Sequence, residues 1–305
     1  MDLRLGTRGS RLALLQSERV ALRLRAMGHR VEVVTILAEG DRRPNPAITV
    51  ADRESFQEGM FVSALERALV EGRVDLAVHS AKDVPLRSRE DLIVAAVPER
   101  ADPRDALVTA SGGARLETLP PGVTFGTDSP RRVGFIASWR PDLRHRPLRG
   151  NVDHRLRRLS AGEVDALVVA AAGLDRLGLG ERADQRLDPT VVPPAPAQGA
   201  LAVQCRASDQ RVLEVVVRID DPALRLAVTT ERLVLEATGG GCRAPVGALA
   251  GVGDGRLWLV AGAAAPDGGE RYVVRLEAEA REAEAYELAA AAGRELMERV
   301  VSHVA

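Results

Sequence analysis

Apolar positions along the chain follow two periods. Short apolar or alternating runs in LRLG (3–6), HRVEVVTIL (29–37), VDLAVHS (74–80), VTFG (123–126), VDALVVAAAG (164–173) and ALAVQCR (200–206) predict strands. Between them the spacing becomes helical. Ser10 stands as an N-cap before a helix over 11–26, FVSALERALVEG (61–72) predicts a helix stopped by Gly72, and SPRRVGFIASWR (129–140) and HRLRRLSAGE (154–163) continue the alternation. The result is α/β. LERALVEGRVDLAV (65–78) and LRRLSAGEVDALVV (156–169) repeat one order, a helix, a glycine near its stop and then Val-Asp leading an apolar strand. Two similar lobes with mainly parallel sheets follow from this, with functional side chains expected at the strand ends.

After the proline-rich hinge or crossover VVPPAPAQG (191–199), DPALRLAVTTERLVLEATGG (221–240) reads as an amphipathic helix. GRLWLVAGAAA (255–265) and RYVVRLEAEA (271–280) alternate as strands around a DGG turn, and a helix is expected over 281–301. This end forms a small α+β domain. The expected boundaries are 1–98 with 196–215 for the first lobe, 99–195 for the second and 216–305 for the C-terminal domain. Residues 38–59 lack strong periodicity and read as either an active-site loop or a surface linker.

Composition narrows the function. Among 305 residues, 42 basic against 43 acidic give a net charge of −1, so the whole molecule lacks the basic character that holds nucleic acid. The N-terminal stretch has no apolar h-region, and no segment approaches a membrane span. A cytoplasmic protein is expected, with no nucleic-acid and no membrane partner. Two cysteines, Cys205 and Cys242, fall short of a disulfide scaffold or a four-cysteine metal site, and the five histidines show no zinc spacing. Cys205 reads as a buried strand residue. Cys242, behind three glycines in GGGCRAPVG (239–247), reads as either an accessible thiol or a tight-turn residue. No G-x-G-x-x-G follows the first strand, which argues against a dinucleotide fold.

Three segments carry candidate chemistry. HSAKDVP (79–85) places His79, Ser80, Lys82 and Asp83 together, for proton transfer, for stabilising a cation or as a plain surface pair. GTDSPRR (126–132) and RGNVDHRLRR (149–158) each start a helix beside arginines, whose planar forks suit carboxylates unless they are simply solvated. Arg131 and Arg132 lie about 100° apart around a helix, so both need not face one ligand.

Taken in order, GTRGSRLALLQ, HSAKDVP, DPRDALV, GTDSPRR, RGNVDHRL, AAAGLDRLG, PAPAQGALAVQCR and GGGCRAPVG resemble the porphobilinogen deaminase family over almost the whole chain. The resemblance implies two lobes like type II solute-binding proteins and a third domain carrying a covalent cofactor. It implies a transferase, expected as a monomer, that joins four porphobilinogen molecules head to tail and releases ammonia. On the same footing, Cys242 bears a dipyrromethane through a thioether. Asp83 stabilises the cation left when the amino group departs and assists proton movement. Arg8, Ser10, Lys82, Thr127, Ser129, Arg131, Arg132, Arg149, Arg155 and Arg176 bind acetate and propionate groups, and Gln16, Asp41, Phe61, Ser80, Asn151 and Gln198 complete the cleft. Departures from the family pattern are Asn45 and Glu58 in the 41–61 loop, Asp128 and Pro130 at one helix start, and Asp153 and His154 at the other. Added carboxylates would weaken polyanion binding unless paired with arginine. The competing expectation is a non-catalytic, two-lobed carboxylate-binding protein, which leaves Cys242 unused.

Overall fold

The computed structural model describes residues 1–37, 64–86, 89–239 and 245–300. In chain order the elements are β1 (Asp2–Thr7), α1 (Arg11–Ala26), β2 (Arg30–Thr35), α2 (64–70), β3 (Leu76–Ser80), β4 (Leu92–Ala96), β5 (Asp105–Thr109), β6 (Thr124–Gly126), α3 (Pro130–Trp139), β7 (Arg144–Arg146) and α4 (Val152–Ser160). There follow β8 (Ala166–Ala170), α5 (Ala171–Arg176), β9 (Gln185–Arg186), β10 (Leu201–Arg206), α6 (Gln210–Val216), α7 (Pro222–Ala237), β11 (Val246–Gly253), β12 (Arg256–Ala264), β13 (Arg271–Glu279) and α8 (Glu282–Arg299). They divide into two compact units, Met1–Glu99 with Ala200–Pro222, and Arg100–Gly199 with Ala223–Ala305.

The first unit is built on a sheet of order β2-β1-β3-β10-β4. β1 is parallel to both β2 and β3, whereas β10 is antiparallel to its neighbours β3 and β4, so four strands point one way and one returns. Leu3, Leu5 and Val203 pack with Val20 and Leu24 of α1 and Val212 and Val216 of α6. Ala77 and Leu92 pack with Leu65 and Leu69 of α2. Both faces are covered, which is why these strands read as apolar runs.

The second unit repeats that topology. Its sheet has the order β7-β6-β8-β5-β9, with β6 parallel to β7 and β8, and β5 antiparallel to β8 and β9. The duplicated Val-Asp has a local cause. Asp75 Oδ2 accepts from Arg4 N at 2.8 Å while Asp75 N donates to Arg4 O at 2.8 Å. Asp165 makes the same exchange with Thr124, at 2.8 and 2.9 Å. Each aspartate therefore fixes the register in which a central strand starts beside its parallel neighbour.

The C-terminal part of the second unit is an antiparallel sheet β11-β12-β13 lined by α8. α3 packs on β12 where a Cβ at Gly134 would lie 2.7 Å from Ala265 O, so this approach requires glycine. The hydrophobic pattern did not reveal β11, VGALAGVG, because its small residues carry little signal. Among the described residues no helix is long and apolar enough to cross a membrane.

Candidate active site

The expected site residues that are described fall into two sets, one at the strand ends of each unit. In the first, β1 ends in Gly6-Thr7, and a Cβ on Gly6 would press on Val74 and Leu65 at 3.1 and 3.3 Å. Thr7 Oγ1 donates to Ala13 O at 3.1 Å, and Ser10 Oγ accepts from Ala13 N at 3.3 Å as the N-cap of α1. Arg8 occupies the half-buried turn between them. On the adjacent strand β3, Ser80 Oγ accepts from Gln16 Nε2 at 2.9 Å, tying α1 to the start of a single 3-10 turn, Ala81–Asp83. That turn leaves Lys82 half-buried and presents Asp83 to solvent.

His79 points into the protein instead. Burial pushes its imidazole down to about 4, the nearby Gln204 carboxamide opposes that shift, and the charge of Arg8 adds to it. Cys205 is fully buried, as expected, and burial pushes its thiol up to about 11.

In the second unit, β6 ends in Gly126 with Thr127 just after it, and Ser129 caps α3 by accepting from Arg132 N at 3.4 Å, with Pro130 at the first position. Thr127 is buried, and its carbonyl meets His145 Nε2 at 2.9 Å. The LGT and FGT strand ends, each followed by a serine cap, are thus equivalent places in two copies of one topology. This correspondence was hidden in the sequence by the different spacing of GTRGS and GTDS.

Arg131 and Arg132 converge on Asp105, the first residue of β5. Arg131 Nη1 lies 2.8 Å from Asp105 Oδ2, and Arg132 Nη2 lies 2.7 Å from Oδ1. All three side chains are buried. Arg132 also donates through Nη1 to Val168 O at 3.2 Å and through Nη2 to Gln198 Oε1 at 3.3 Å. Gln198 Nε2 completes the cluster on Asp105 Oδ1 and Pro103 O, both at 2.8 Å. Burial would raise the Asp105 carboxyl, but the two arginines hold it far below the usual range. Asp105 lies in DPRDALV but carried no role in the sequence reading; its only signal was an aspartate opening an apolar strand.

The remaining described residues lie on or beside α3, α4 and α5. Arg155 Nε donates to Gly150 O at 2.7 Å. Burial, then the charge of Arg132, lower Arg155 to about 10 against the opposing charge of Asp128, so it stays cationic at neutral pH. Asp128 is itself paired, with Arg149 Nε 3.0 Å from its Oδ2. Asn151 opens α4 without a side-chain capping bond, and Asp153 lies in the first turn. Arg176 Nη2 donates to Gly199 O at 2.7 Å. Cys242, Asp41 and Phe61 lie outside the described residues, as do Asn45 and Glu58.

Two arginines against one buried carboxylate leave a net positive charge, and Arg131 Nε is buried without a hydrogen-bond partner among the described residues. Such a donor set fits a carboxylate ligand. Among the described residues, no group of acidic, histidine or cysteine side chains forms a metal site.

Comparison with known proteins bears on this chemistry. The model of porphobilinogen deaminase, dipyromethane cofactor binding domain, matches residues 3–214, and that of the porphobilinogen deaminase C-terminal domain matches residues 225–298. Porphobilinogen deaminase of Acidothermus cellulolyticus is 51% identical over 270 residues, covering 87% of this chain and 80% of that protein. The Mycobacterium tuberculosis protein of the same name is 48% identical over 250 residues, covering 82% and 79%. Solved structures are similar at a lower level. A substrate binding domain of an amino acid ABC transporter from Streptococcus pneumoniae aligns with a TM-score of 0.45 at 13% identity, over 78% of this chain and 95% of that one. An ancestral cationic amino acid solute binding protein aligns with a TM-score of 0.43 at 14% identity, over 72% and 87%. With both family models matched in order along nearly its whole length, the chain belongs to the porphobilinogen deaminase family.

Proposed function

We propose that this chain joins four porphobilinogen molecules head to tail, releasing ammonia at each condensation and giving hydroxymethylbilane, as a cytoplasmic monomer of three domains bounded as expected from the sequence. Dipyrromethane, held on Cys242 by a thioether, supplies the primer pyrrole when bound. The observation that carries the reading is the Arg131–Asp105–Arg132 cluster, a preformed and net positive group at the strand ends of the second sheet. Acetate and propionate side chains of substrate and cofactor are the ligands this chemistry suits. Arg149, Arg155 and Arg176, with Thr127, Ser129 and Asn151, extend the same surface.

In the first unit Arg8, Ser10 and Lys82 take further carboxylates, and Gln16 holds Ser80 in place. Asp83 is the catalytic carboxylate. When the substrate loses its amino group, the carbon left behind is cationic, and a fixed negative charge nearby lowers the energy of that step. The same carboxylate accepts and returns a proton at the pyrrole nitrogen. Asp41, Phe61 and Gln198 are assigned to contacts with substrate or cofactor. Tethering keeps the acceptor beside the electrophile, so orientation is not regained from solution in each round.

Intact-protein mass spectrometry tests the reading. A dipyrrole mass on the wild type that disappears in Cys242→Ser, with turnover of porphobilinogen, is the expected result. An unmodified wild-type chain without turnover would overturn it in favour of a non-catalytic carboxylate-binding protein.

A further inference from the structure

Glu231, in the middle of α7, has no exposed surface, yet three separate segments donate to its carboxylate. Oε1 accepts from Arg100 Nη1 at 2.6 Å and Ala250 N at 2.8 Å, and Oε2 accepts from Arg100 Nη2 at 3.1 Å and Ala197 N at 2.6 Å. An ion pair at such depth brings little net stability over well-packed apolar side chains. What distinguishes this one is the backbone it grips.

Ala197 is fully buried and has φ 64, the left-handed region that an L-residue other than glycine rarely adopts. Such a conformation persists only where its surroundings over-determine it. Here the Glu231 carboxylate takes the Ala197 N–H, Arg100 Nε donates to Gln198 O at 3.0 Å, and Gln198 N closes on Ala195 O at 2.9 Å. The direction of the next side chain depends on that turn. Gln198 then reaches Asp105 Oδ1, Pro103 O and Arg132 Nη2.

We propose that Glu231 and Arg100 are positioning residues: they hold Ala197 in its left-handed turn, and through Gln198 they fix the Arg132 guanidinium for carboxylate binding. The inference rests on the reading of Arg132 as part of the substrate and cofactor site. Without the Glu231 bond, Ala197 relaxes toward negative φ, Gln198 swings from Asp105, and Arg132 loses one of the groups that orient it.

The test is a rescue. Glu231→Gln keeps the shape but has a single acceptor oxygen and turns an NH2 toward other donors. It is expected to raise KM for porphobilinogen and lower kcat/KM on the order of tenfold or more, as misplaced binding groups do. Ala197→Gly, added to Glu231→Gln, adopts the left-handed turn without help and is expected to restore most of that loss. If Glu231→Gln alone fails to fold, recovery of soluble, active enzyme in the double variant supports the proposal equally. Wild-type kinetics in Glu231→Gln, or a double variant no better than the single one, overturns it, because a carboxylate that merely balances Arg100 gains nothing from glycine at position 197. Arg132→Gln assayed alongside separates the premise: an unchanged KM there removes Arg132 from the site and the proposal with it. Wild-type enzyme without turnover would instead overturn the functional reading.

Discussion

Asp105 receives two hydrogen bonds from Arg132 on one oxygen, 3.1 Å from Nε and 2.7 Å from Nη2, with the side chains 0% and 7% exposed. A guanidinium has five N–H groups. With Nη1 on Val168 O and Nη2 also on Gln198, Arg132 turns most of its donors inward. Its contribution to a ligand is therefore chiefly a fixed positive charge in a region shielded from water, rather than a free two-pronged clamp.

Removing the Asp105 charge should be costly. Asp105→Asn leaves two buried guanidiniums sharing a neutral partner, and breaking a buried pair in this way costs about 3–5 kcal/mol. Urea unfolding at neutral pH measures it; a loss below about 1 kcal/mol would show that the cluster is not a structural centre. The depressed carboxyl also fixes the sign with pH. Its contribution is fully present above the unfolded-state value near about 4 and is lost only as pH falls below that.

Asp128 should act on binding more than on stability. Its partner Arg149 is 44% exposed and Asp128 itself 30%, so the pair contributes at most about 1 kcal/mol. Asp128→Ser removes a negative charge from the proposed carboxylate surface. KM for porphobilinogen should fall a few-fold at low salt, and the difference should shrink near about 1 M salt, where the screening length is roughly 3 Å. A KM that rises, or does not respond to salt, would remove Asp128 from the field of the site.

Much of the architecture was legible because it rests on local signals. Ser10 caps α1 at the position the sequence indicated, the Val-Asp repeat marked two copies of one topology, and both Gly-Thr strand ends lay inside quoted motifs. Partner choice was not legible. That Arg131 and Arg132, about 100° apart on α3, meet the same aspartate follows from β5 running antiparallel, so that its first residue lies beside the last residue of β8. The Ala197 turn was equally hidden, since nothing in PAPAQG marks an alanine for positive φ and its cause, Glu231, lies 34 residues away. β11 escaped because Gly and Ala alternate too weakly to register.

The two strand-starting aspartates should differ in weight. Asp75 serves the Arg4 backbone N–H and also its guanidinium, at 3.2 Å from Nε and 2.8 Å from Nη2. Among the described residues, the side chain of Asp165 accepts from the Thr124 N–H alone. Asp165→Ala should therefore cost about 1 kcal/mol, the net contribution of one hydrogen bond, and Asp75→Ala about 2. Equal losses in urea unfolding would mean that the backbone exchange carries the whole effect.

His79 should make the enzyme acid-labile in a definite window. Its Nε2 and Gln204 Oε1 are both buried without hydrogen-bond partners among the described residues, while Gln204 Nε2 donates to Glu66 Oε1 at 3.2 Å. Arg8 is the charged group that disfavours protonation from the strand-end side, and Glu66 lies behind the carboxamide. With the folded imidazole near about 4 and the unfolded one near about 6.5, the unfolded chain binds the extra proton between those values. Stability from this group is complete above about pH 6.5 and falls as the pH drops toward 4. Between about pH 7.5 and 4.5 the loss amounts to roughly 2–3 kcal/mol, from 1.36 kcal/mol per pH unit. His79→Gln cannot titrate, so its unfolding free energy should lack that component, whatever its stability at neutral pH. Parallel pH profiles for the wild type and His79→Gln would show that His79 is not held neutral by burial.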